Sequence, residues 1–68
     1  MQKLSATLPD GKIVTRKTEH PYTHIIAVRE GSDWGVIRWT QTPMKAMSAI
    51  KSLHPMFDEF KLIPVDKS

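Results

Sequence analysis

The chain has 68 residues, no cysteine, and a formal net charge of +3 from ten Lys/Arg against seven Asp/Glu. That length allows one domain, 1–68, with one core, which at this size rarely supplies more than about 3–5 kcal/mol. Missing thiols exclude disulfides and thiolate metal sites as supplements, which leaves a partner subunit, such as a homodimer, as the expected one.

No apolar run of about 18 residues predicts a membrane span. The opening MQKLSATLPDGK is too polar for a signal peptide, so the chain is expected to be cytoplasmic. Leu4, Ala6 and Leu8 alternate with Ser5 and Thr7, the period of a half-buried strand. Pro9-Asp10-Gly11 then suits a type I turn with a glycine bulge, and the β-branched run Ile13 to Thr18 returns as the second strand.

Glu19-His20-Pro21 breaks the pattern, because proline cannot join a central ladder. From His24 to Thr40, HIIAVREGSDWGVIRWT reads as strand, tight turn, strand. Side chains alternate across a strand, so the register is tested by which faces come out apolar. An even loop, Ser32-Asp33 or Gly31 to Trp34, sets Val28 opposite Ile37 and Ile26 opposite Trp39 as one apolar face. The other face then carries Ile25, Ala27, Arg29, Val36, Arg38 and Thr40.

Thr42-Pro43 predicts a helix start, with threonine as cap and proline at the first helical position. Ala46, Met47, Ile50 and Leu53 share a face, and Pro55 ends the helix at or before His54. Met47, Ile50 and Leu53 are expected to pack on Ile26, Val28, Ile37 and Trp39. Phe60 to Val65 is a short last strand that Pro64 places at an edge or ends early. Asp66 to Ser68 is expected to fray. The fold expected is α+β: a small antiparallel sheet of four to five strands, β-β-β-β-α-β, with one amphipathic helix packed on one face.

Catalytic chemistry finds little support. His20 and His24 are four apart, but around Pro21 the segment is extended, so they should stand about 13 Å apart. Zinc sites need three or four converging ligands, so no metal is expected. Ser48-Ala49-Ile50-Lys51 matches S-x-x-K without the partner motifs of that enzyme class. No glycine-rich phosphate loop occurs, and so small a core can hardly enclose a pocket; no cofactor and no enzyme activity are expected. The surface that invites binding is the second hairpin face, with Arg29 and Arg38 on neighbouring strands and Trp34 at the turn. Arg16 and Tyr22 complete the candidate set. Arginine and tryptophan beside small apolar residues compose a binding hot spot, and they could also grip a phosphate backbone.

Leu8-Pro9-Asp10-Gly11, Thr15-Arg16-Lys17-Thr18 and Tyr22-Thr23-His24 resemble short accessory proteins of tailed bacteriophages over the first half of the chain. That resemblance implies stoichiometric binding to a host protein, including defence nucleases or the transcription machinery, and carries over no functional residues. The order of three strands and a helix also resembles DNA-binding domains that lay a sheet into the major groove, as fold analogy only. The expected function is a non-catalytic protein-binding module, a phage-encoded inhibitor of a host protein; the alternative is a nucleic-acid binder using the basic and aromatic sheet face.

Overall fold

A computed structural model describes residues 2–67. Those residues form β1 (Gln2–Thr7), β2 (Ile13–Thr18), β3 (His24–Glu30), β4 (Asp33–Thr40), α1 (Pro43–Leu53), β5 (Glu59–Pro64) and β6 (Asp66–Lys67). The class is α+β. The strands divide into two antiparallel sheets of three, ordered β2-β1-β6 and β4-β3-β5, rather than one sheet of four or five.

The first hairpin forms as its turn residues dictate. Gly11 takes a φ of 92°, its N–H bonds the Leu8 carbonyl at 2.9 Å, and Asp10 Oδ1 accepts from the Lys12 N–H at 3.0 Å. Leu4, Ala6 and Leu8 are buried. What differs is where this hairpin goes. Ile25, Ile26, Ala27 and Val28 are all buried, so β3 needs cover on both faces. The β1–β2 hairpin supplies it by stacking on the second sheet, with Ala6 and Leu8 clustering on Ile25 and Ala27. Helix α1 covers the opposite face, with Ala46 and Ile50 on Ile26. A face holding Ile25 and Ala27 is therefore core, and not the open binding surface expected for it.

The central register also departs from expectation. The loop is Gly31-Ser32, because Glu30 pairs with Asp33. Gly31, at a φ of 66°, suits the first central position of a type II′ turn. Val28 then meets Gly35 and Ala27 meets Val36, but Ile26 meets Arg38 and Ile25 meets Trp39. Ile37 is the extra residue of a β-bulge. The bulge reverses the parity of β4 along its length. Ile37 keeps the helix side expected of it, while Arg38 moves to that side and Trp39 to the core between the sheets.

Helix α1 begins and ends where the sequence indicates, but two of its details differ. Thr42 makes no side-chain cap bond; its N–H instead bonds Thr40 Oγ1 at 2.9 Å. Leu53, expected in the core, is 71% exposed. The helix lies over β3 and β5, so Phe60 and Leu62 occupy the places assigned to Val28 and Trp39. The last helical turn, with Leu53, runs past them. Asp66 and Lys67 do not fray but pair with Ser5 and Leu4, after Val65 crosses between the sheets with its N–H on the Thr23 carbonyl at 3.0 Å. Ser68 lies outside the described residues.

Gly35 sits within β4 at an ordinary φ, and beyond its own residue and its two chain neighbours no atom lies within 4 Å of where a Cβ would stand. Glycine there only enlarges the unfolded ensemble, so Gly35→Ala should stabilise by about 0.4–1 kcal/mol. For so small a domain that raises Tm by roughly 2–8 °C. Gly31→Ala, at a left-handed position, should lower it instead. Thermal melts of the two variants check the turn assignment; a Tm raised by both would contradict it.

Candidate protein-binding site

The five candidate residues separate into three places. Arg16 and Tyr22 come together. Arg16 stands on β2 opposite Leu4 and reaches past the edge of its sheet toward β4. Its guanidinium carbon lies 5.4 Å from the centre of the Tyr22 ring and 6.0 Å from that of Trp39. The two rings are 6.3 Å apart, and the His20 ring lies tilted against Tyr22 at 5.5 Å. Arg16 is thus held over two aromatic faces at the open margin between the sheets.

Local structure fixes each part of this cluster. Pro21 turns the β2–β3 connector so tightly that the Tyr22 N–H reaches the His20 carbonyl at 2.9 Å. Gln2 Nε2 donates to the same carbonyl at 3.3 Å, and the Thr23 N–H bonds Thr40 O at 3.0 Å, tying the connector to the end of β4. Trp39 arrives on this side only because Ile37 is bulged out. Its ring is half-buried against the inter-sheet core, which makes it a rigid platform. Among the described residues no carboxylate pairs with Arg16, which is exposed and lies over the two rings.

Arg29 is engaged inside the fold. Its Nη1 donates to Gly31 O at 2.6 Å, and its Nε donates to Glu59 Oε1 at 3.4 Å across the β3–β5 ladder. Asp58 Oδ2 lies 3.9 Å from Nη1 and accepts from the Gly31 N–H at 2.8 Å. These bonds tie the turn to the segment after the helix. Trp34 is the cross-strand neighbour of Arg29, half-buried on the core between the sheets, with its carbonyl accepting from Lys12 Nζ at 3.4 Å. It caps the open end of that core. Arg38 projects on the helix side, away from both, above a groove it shares with Thr42, Lys45, Ala46 and Ala49.

The expected basic face of Arg16, Arg29 and Arg38 therefore does not form. One bulge separates Arg38 from Arg29, and two acidic neighbours occupy Arg29. Trp39 and His20 join the site unforeseen; the i, i+2 spacing of His20 and Tyr22 about a proline is the one signal that hinted at them. Among the described residues no group of three or more His, Asp or Glu side chains could hold a metal, and no helix is long and apolar enough to cross a membrane. Comparison with protein-family models, with curated proteins and with solved structures finds no match.

Proposed function

We propose that the chain is a non-catalytic protein-binding module whose contact centre is Arg16, held over the rings of Tyr22 and Trp39. The observation that carries this reading is an exposed arginine that has no acidic partner among the described residues and is pre-positioned by two aromatic rings. Arg, Tyr and Trp are the residues that most often dominate binding energy, and a held side chain loses less entropy on association. Cation–π attraction at this half-exposed site contributes about 0.5–1 kcal/mol to holding the guanidinium. Its free N–H edge suits a carboxylate on the partner. The resemblance of the first half to phage accessory proteins supports a host protein as the target, blocked stoichiometrically in the host cytoplasm. Nucleic-acid binding has less behind it, since it relied on three arginines sharing a face.

Affinity capture from bacterial lysates, with the parent chain and two variants as bait, tests the reading. The parent and Arg29→Ala should retain the same stoichiometric protein, while Arg16→Ala loses it by tenfold or more, as truncation of a hot-spot residue costs about 2 kcal/mol or more. Equal retention by Arg16→Ala, or no retained protein with any bait, contradicts it.

A further inference from the structure

Arg38 and Lys45 stand outside the Arg16 cluster, on the helix side of the second sheet. Helix α1 turns Ala46 and Ile50 to the core over β3 and β5, which leaves the strip between α1 and β4 open. There a groove of about 320 Å³ is lined by Arg38, Thr42, Lys45, Ala46 and Ala49. Two alanines are too short to fill it, and among the described residues neither Arg38 nor Lys45 enters an ion pair. Trp39, the next residue after Arg38, carries Arg16 on the other face. The far half of β4 is thus flanked by unpaired cations on both sides, and as an edge strand it pairs with β3 alone. Its turn end differs: Glu30 and Asp33 are exposed there, and Lys12 occupies the Trp34 carbonyl.

We propose that an acidic, extended segment of the partner protein docks along the Val36–Thr40 edge, with carboxylates reaching Arg38 and Lys45 in the groove and Arg16 on the opposite face. This rests on the protein-binding reading and names the chemistry of the partner. Cations flanking the two faces of one strand, from β4 and α1 on one side and from β2 on the other, match a peptide, whose successive side chains point to opposite faces. A nucleic-acid backbone tracks one continuous groove of positive charge and has no such alternation. Acidic residues at the turn end oppose the reverse placement of the segment's charge.

The test is an NMR titration of the ¹⁵N-labelled chain at low ionic strength with two decapeptides of equal Glu and Val content. One has paired glutamates, which an extended backbone sends to both faces; the other has alternate glutamates, which reach one face. The paired peptide should shift the amides of β4 from Val36 onward together with those of Thr42 and Lys45, slow β4 amide exchange, and bind more tightly. An Arg38→Glu, Lys45→Glu double variant should weaken it by about tenfold or more. No shift there, equal affinity of the two peptides, tighter binding of a thymine decanucleotide at the same amides, or concentration-dependent self-association that protects β4 would each overturn the proposal. If the captured partner is lost by Arg16→Ala but kept by the double variant, the binding module stands and this docking mode fails.

Discussion

Ile26→Ala is expected to leave the chain largely unfolded at 25 °C, whereas Ile37→Ala should still fold. Ile26 is wholly buried on the middle strand of its sheet, beneath Ala46 and Ile50. Truncating such a residue costs about 2–5 kcal/mol, against a total of about 3–5 kcal/mol for a domain of this size. Ile37 is half-buried at the bulge, where the loss should be on the order of 1–2 kcal/mol. Had the unbulged register held, Ile37 would carry as much of the core as Ile26. Urea melts of the two variants separate the registers, and equal midpoints would reject the bulge.

Trp39→Ala should have the next largest effect, because it removes a wall of the core and the platform of the site together. A half-buried ring is worth on the order of 2–3 kcal/mol in packing, and its pairing with Tyr22 adds about 0.5–1.5 kcal/mol. The alanine variant should be marginally folded and should lose the captured partner. Trp39→Phe should melt within a few degrees of the parent and keep part of the partner affinity, since a smaller ring still lies beneath Arg16. A Trp39→Ala variant that folds normally and binds normally would remove the tryptophan from both roles.

The local elements were legible because each has a local cause. Pro9-Asp10-Gly11 makes its own turn, Thr42-Pro43 starts a helix, and Pro55 ends it. Arrangement was harder to read. The run Ile25-Ile26-Ala27-Val28 fits a strand buried on both faces as well as a half-buried one, and only a second covering layer distinguishes them. Whether a hairpin extends a sheet or stacks upon it depends on contacts distant in sequence, here those of Ala6 and Leu8 with Ile25 and Ala27. Side-chain alternation was the correct test of the central hairpin, but it presumes an uninterrupted ladder. One bulged residue exchanged the faces of Arg38 and Trp39, and the candidate site moved with them. Residue type was enough to nominate Arg16 and Tyr22 as candidates; the ring of Trp39 beneath Arg16 was not legible.

Photo-crosslinking tests the central claim, that a protein partner contacts the Arg16 cluster, most directly. Benzoylphenylalanine is introduced at Tyr22, beside the stacked arginine, and separately at the exposed Ile13 on β2, away from the cluster. The account predicts one discrete protein adduct from position 22 on irradiation in lysate, diminished by Arg16→Ala, and none from position 13. Adducts from position 13 alone, or the same adducts from both positions, would contradict it.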